Sequence, residues 1–163
     1  MCGLAGFYIN QSYSSESSKE LIQNMINTLD HRGPDDSGIW VDPNNVISLG
    51  HKRLSILDIS SAGHQPMSLE RGKFVLTYNG EIYNHLELRA NIEKDCKSIQ
   101  WNGTSDTETL LAAFETWGIK KTLPQLRGMF AIAVYDKSKK KLSLIRDRFG
   151  EKPLYYGWVK SAD

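Results

Sequence analysis

Hydrophobic and polar positions recur along this chain in two different periods. Short runs rich in β-branched and aromatic residues, each closed by turn residues, predict strands at 4–9, 38–41, 46–51, 74–78, 130–135, 142–145 and 154–158. The segments 42–45 (Asp-Pro-Asn-Asn) and 136–141 carry turn chemistry between strand signals and predict two hairpins. Three other segments repeat their apolar residues at three- and four-residue spacing. In the first, Ser17-Ser18-Lys19-Glu20 reads as a capping box, whose end side chains each satisfy a free backbone donor. Leu21, Ile22, Met25, Ile26 and Leu29 follow it as one apolar stripe. A second helix is predicted from Asn84, carrying Leu86, Leu88 and Ile92. The third repeats the capping pattern at Ser105-Asp106-Thr107-Glu108, buries Leu110, Leu111, Phe114 and Trp117, and stops at Gly118. The serine-rich stretch 12–18 reads as a loop, and repeats are absent.

Hairpins and separate helices, rather than strands alternating with helices, argue for antiparallel sheets covered by helices, an α+β arrangement. The pattern alone does not decide between one sheet and two. At 163 residues the chain has the length of one domain with a real core. Its 20 basic and 19 acidic residues leave a net charge of +1, which gives no electrostatic case for nucleic acid or a membrane surface as partner. No basic leader precedes an apolar block after Met1, and no stretch approaches the roughly 18–20 apolar residues that span a bilayer. Two cysteines, Cys2 and Cys96, make no disulfide framework, so a cytoplasmic setting is expected. His31, His51, His64 and His85 show no metal-ligand spacing, and no metal is expected.

Chemistry concentrates in a few places. Removal of Met1 would make Cys2 the first residue, with thiol and α-amine on one carbon. A free α-amine titrates at about 7.7–8.0 against about 10.4 for lysine, so it is partly neutral near pH 7 and can serve the thiol as a general base. The opposing reading is an inert cysteine at a frayed terminus. Asn79-Gly80 ends an apolar run and is by default a hairpin turn, although the residues after it lead into a helix. Alternatively the Asn79 amide and the Gly80 N–H could meet a developing oxyanion. Asp106 either complements a helix dipole or binds an ammonium group. Arg53 is either a solvated edge charge or a bidentate grip on a carboxylate. The cluster 31–38 is turn-rich, and His31 and Arg32 within it could order a neighbouring site without being catalytic.

Taken together, these motifs resemble one family. MCGLAG (1–6), HRGPDDSG (31–38), GHKRLSI (50–56), GHQPM (63–67), YNGEIYN (78–84), TSDTE (104–108), LRGMFA (126–131) and RDRFGEKPLYY (146–156) occur in its order. The chain is similar to the N-terminal glutaminase domain, a class II glutamine amidotransferase, of glutamine-hydrolysing asparagine synthetases. Amidotransferases acting on phosphoribosyl or hexose phosphates also begin with cysteine, but their counterparts of HRGPDD and GHKRLSI read differently.

The resemblance implies a four-layer αββα sandwich of the N-terminal-nucleophile hydrolase type, built on two antiparallel sheets. It implies that Cys2 attacks the glutamine side-chain amide and forms a thioester, with Asn79 and Gly80 at the oxyanion. Arg53 would hold the substrate carboxylate beside the backbone of Leu54, Ser55, Ile56 and Leu57, and Glu81 and Asp106 would take the α-ammonium. It further implies a glutaminase domain over 2–163, cut short of the family's usual end, with no cofactor of its own. ATP and magnesium belong to a synthetase domain, absent here, that converts aspartate to asparagine with the ammonia supplied. Expected partners are glutamine and that domain, and a homodimer is compatible. Rival readings keep the chemistry but aminate another acceptor, such as a surface sugar, or reduce the chain to a silent glutamine-binding module.

Overall fold

The computed structural model describes residues 2–9, 14–44 and 46–159. Strands β1 (Gly3–Tyr8), β2 (Asp36–Val41) and β3 (Ile47–Arg53) form one antiparallel sheet in the order β1-β3-β2. Strands β4 (Phe74–Ile82), β5 (Gly128–Asp136) and β6 (Lys141–Arg146) form a second, in the order β4-β5-β6. Helix α1 (Ser15–Asn27) covers the first sheet, while α2 (His85–Asp95) and α3 (Asp106–Trp117) cover the second, with a short helix α4 (Ile119–Thr122) after them. The layers therefore run helix, sheet, sheet, helix, which settles the choice of two sheets over one.

Side-chain alternation explains the stacking. Ile47 and Leu49 of β3 meet Val75, Ala133 and Tyr135 between the sheets. Phe74, Leu76, Tyr78 and Ile82 of β4, with Phe130, Ile132 and Val134 of β5, turn the other way onto Leu88, Leu110, Leu111 and Phe114. The central strand β3 is buried on both faces, and Gly50 leaves room for Ile26 of α1, which a Cβ there would strike.

The structure revises several expectations. Helix α1 begins two residues before the expected box: Ser14 is its cap, accepting from Ser17 N at 3.0 Å, so Ser15–Ser18 are helical rather than loop. Within its stripe Ile22 and Ile26 are buried, but Leu21 lies exposed. Leu86, at the start of α2, is also exposed, because only Leu88 and Ile92 face α3 and the sheet. The predicted strand 74–78 continues through Asn79-Gly80 to Ile82, so that dipeptide sits inside a strand and not at a turn. The segment 154–158 forms no strand, since no other described strand offers it a ladder, and Tyr155, Tyr156 and Trp158 stand in solvent. Of the predicted turn 42–45 and serine-rich stretch 12–18, residues 45, 12 and 13 lie outside the described chain.

Candidate active site

β1 of the first sheet packs against β4 of the second, and the residue before β1 and the second half of β4 carry the chemistry. Cys2 leads into β1 and is half-buried; its Sγ accepts from the Leu54 N–H at 3.3 Å and lies 3.6 Å from the Leu54 carbonyl. Its own carbonyl accepts from Arg32 Nε at 3.3 Å, so the 3-10 turn Asp30–Arg32 holds the residue from behind. The thiol opens into a cleft lined by Arg53, Leu54, Ile56, Leu57, Asn79, Gly80, Glu81 and Asp106. Of the residues expected at the site only Ser55 is elsewhere: its N–H goes to Asp35 Oδ2 at 2.7 Å and it lines a neighbouring recess.

The edge of β4 explains why Gly80 is useful. Phe130 gives its N–H to Asp147 Oδ2 at 3.2 Å and takes the Asp147 N–H on its carbonyl at 2.9 Å. Its register partner Gly80 is therefore not bonded to it and turns its own backbone groups outward. The same parity sends Leu76, Tyr78 and Ile82 outward. Their N–H groups are spent on Met67 O at 2.9 Å, Gln65 Oε1 at 2.7 Å and Asp106 Oδ2 at 2.9 Å. Gly80 alone in this row keeps an N–H that no described acceptor takes, beside the buried Asn79 side chain. A Cβ on Gly80 would strike the Met129 carbonyl and the Phe130 backbone.

The charged groups are held just as firmly. Arg53 is buried, and its guanidinium donates to Ser60 O at 2.9 Å and to the Asp58 carbonyl. A guanidinium has five N–H donors, so the loop 54–63 takes only part of its capacity. The Asp58 carboxylate accepts from Ser60 Oγ, Ser60 N and Thr104 N, bonds that hold it well below the usual carboxylate range. Ser105 caps α3 through Glu108 N at 3.2 Å, as the sequence pattern predicted, and places buried Asp106 in the first helical turn. Burial and the neighbouring Asp106 charge push the Tyr78 phenol far up, so it remains a donor to that carboxylate.

Sequence reasoning passed over Gln65, Tyr78, Met129 and Lys152, all of which line the cleft. All four lie in motifs quoted for the resemblance, and nothing local marks any of them as facing the site. No group of His, Cys, Asp or Glu among the described residues could hold a metal ion.

A family model described as a glutamine amidotransferase domain matches residues 1–163. The chain belongs to that family. A relative at 39% identity is asparagine synthetase [glutamine-hydrolyzing] 2 of Bacillus subtilis, matched over 98% of this chain and 20% of its own length. Another, at 35% identity, is the amidase chry2 of Gibberella zeae, matched over 96% of this chain and 24% of its own. The chain thus spans a fifth to a quarter of the length of these relatives. Among solved structures, glutamine phosphoribosylpyrophosphate amidotransferase of Bacillus subtilis superposes with a TM-score of 0.59 at 20% identity. That match covers 83% of this chain and 35% of the other, and it places this amidotransferase domain in the same fold of paired antiparallel sheets. No helix among the described residues is long and apolar enough to cross a membrane.

Proposed function

We propose that this domain hydrolyses glutamine to glutamate and ammonia, with Cys2 as nucleophile. What supports the reading most is that the Cys2 thiol, the unspent Gly80 N–H and the Asn79 amide line one cleft, whose walls also carry Arg53 and Asp106. An amino acid needs a cation for its carboxylate and an anion for its ammonium, and the cleft has both. The remaining Arg53 donors would take the carboxylate, and Asp106 with Glu81 the ammonium. The backbone of 54–57 would run alongside the substrate.

With Met1 removed, the Cys2 amine takes the thiol proton as sulfur bonds to the amide carbon. Asn79 and Gly80 receive the oxyanion. Collapse breaks the C–N bond, the amine returns the proton to the leaving nitrogen, and ammonia departs from a γ-glutamyl thioester. Water adds to the thioester with the amine again as base, releasing glutamate and restoring the thiol. In the full-length protein the ammonia would serve ATP-dependent conversion of aspartate to asparagine, in keeping with the Bacillus subtilis relative.

The test combines intact mass with turnover. Protein shown to begin at Cys2 should release glutamate from glutamine, and Cys2→Ala should remove at least about 10³-fold of that rate. Undiminished hydrolysis by Cys2→Ala, or full activity with Met1 retained, sinks the mechanism.

A further inference from the structure

Strand β4 lies at a sheet edge, yet it carries the atoms that need the most exact placement. At Leu76 the edge is closed by backbone bonds to and from Met67, at 2.8 and 2.9 Å. At Tyr78, one residue before Asn79, the closure is made by two side chains. Gln65 Oε1 accepts the Tyr78 N–H at 2.7 Å, and His51 Nε2 meets the Tyr78 carbonyl at 3.0 Å. These are the two bonds a neighbouring strand would supply, delivered from β3 of the opposite sheet and from the loop at 63–67.

A carbonyl can only accept, so Nε2 carries the hydrogen. Nδ1 has no partner among the described residues, and the ring is wholly buried. Burial pushes the imidazole down to about 4, so it is a neutral donor in one tautomer near pH 7. The carbonyl it holds shares a rigid planar peptide with the nitrogen of Asn79. Fixing that plane aims the Asn79 side chain and starts the path to the Gly80 N–H. Glycine supplies little stiffness of its own, so an anchor just upstream matters. Gln65 also donates to Thr107 Oγ1 at 3.2 Å, which ties the anchor to the turn of α3 that bears Asp106.

We propose that His51 and Gln65 form a side-chain clamp that substitutes for a missing strand neighbour and positions Asn79 and Gly80 as an oxyanion-binding pair. The proposal rests on the glutaminase reading of the cleft. His51 is then a positioning residue that never touches substrate, and its loss weakens transition-state binding more than glutamine binding.

The experiment uses the chain beginning at Cys2. His51→Phe keeps a ring without the donor, His51→Gln restores an amide N–H at comparable reach, and His51→Asn falls one carbon short. Gln65→Leu tests the other arm without touching the histidine. His51→Phe, His51→Asn and Gln65→Leu should each lower kcat for glutamine about 10–100-fold with KM within about threefold, and His51→Gln should stay within about fivefold of the parent. Amide hydrogen exchange, which needs no turnover, should quicken at Asn79 and Glu81, whose N–H groups face β5, in the three impaired variants and not in the rest of β5 or in His51→Gln. The clamp is overturned if His51→Phe and Gln65→Leu keep the parental kcat, if Gln and Asn at 51 behave alike, or if β4 and β5 lose protection together. Glutamine hydrolysis that survives Cys2→Ala overturns the reading of the site instead, and the exchange pattern still decides the clamp.

Discussion

The Tyr78 phenol donates to Asp106 Oδ2 at 2.7 Å, and the Ile82 N–H donates to the same oxygen at 2.9 Å. The carboxylate proposed to receive the substrate ammonium is thus fixed through one oxygen, while Oδ1 is engaged by neither bond. Tyr78→Phe should leave the buried carboxylate with one fewer donor and lower stability by about 1.5–3 kcal/mol, the range for hydrogen bonds to charged groups. KM for glutamine should rise several-fold and kcat change less. Urea unfolding and steady-state kinetics check the two halves; a variant as stable as the parent contradicts the account.

Gly63 packs against the Arg53 guanidinium so closely that a Cβ there would strike Nη2 and the central carbon. Gly63→Ala should push the guanidinium off the Ser60 and Asp58 carbonyls and spoil its aim into the cleft. The expected result is a rise in KM of about tenfold or more, since a lost or misaimed charged contact is worth 1.5–3 kcal/mol. Arg53→Lys should show a similar rise, because a single ammonium cannot span both carbonyls and a carboxylate. If either variant keeps the parental KM, Arg53 does not hold the substrate.

How much of this was legible in the sequence depended on the range of each signal. The Ser105 cap and the Gly118 stop of α3 are local chemistry and both appear, although Glu108 takes the N–H groups of Asn102 and Gly103 instead of closing a reciprocal box on Ser105. The strand signal at 74–78 is also local, but which of its faces meets which core was not legible: Val75 turns to the core between the sheets and Leu76 to the core under the helices. For Asn79-Gly80 the sequence leaves a turn and an oxyanion-facing pair both open; the turn is the dipeptide's usual local meaning, whereas here pairing with Phe130 and Ala131 keeps it in a strand. His51 and Gln65 could not have been found this way. Their partner Tyr78 is 27 and 13 residues away, and the bonds exist only once β3 and the 63–67 loop have packed against β4. The grip of Arg32 on the Cys2 carbonyl is of the same long-range kind, although the cluster around it had suggested an ordering role.

Asp147 gathers the backbone N–H groups of Phe130, Phe149, Glu151 and Lys152 at 2.9–3.2 Å and pins the 146–152 turn against β5 next to the cleft. Burial alone would raise its carboxyl, but these four donors outweigh it and hold the group at about 2. A depressed acid contributes stability above its unfolded value and loses it as pH falls, here from about 4 towards about 2. Asp147→Asn should therefore cost about 1–3 kcal/mol near pH 7 and progressively less below pH 4. A pH-independent cost in chemical denaturation refutes this.

His51 predicts acid sensitivity in a separate window. Unfolded, its imidazole titrates at the ordinary 6.5; in the fold, burial keeps it neutral down to about 4. Between those values the unfolded chain binds a proton that the native chain does not, so stability rises with pH across the window and is lost as pH falls through it. The groups facing the ring do not cancel this: Asp36 and the Tyr78 carbonyl favour the charged form, while Arg53 and His64 oppose it. The full effect is on the order of 3 kcal/mol. His51→Gln removes the titration while keeping the donor to Tyr78. The gap in unfolding free energy between parent and variant, followed from about pH 7 to pH 4, should shift in the variant's favour by that amount, setting in near 6.5 and levelling near 4. A gap that stays constant over this range would mean that the native imidazole takes up its proton as readily as the unfolded one, and that burial does not keep His51 neutral.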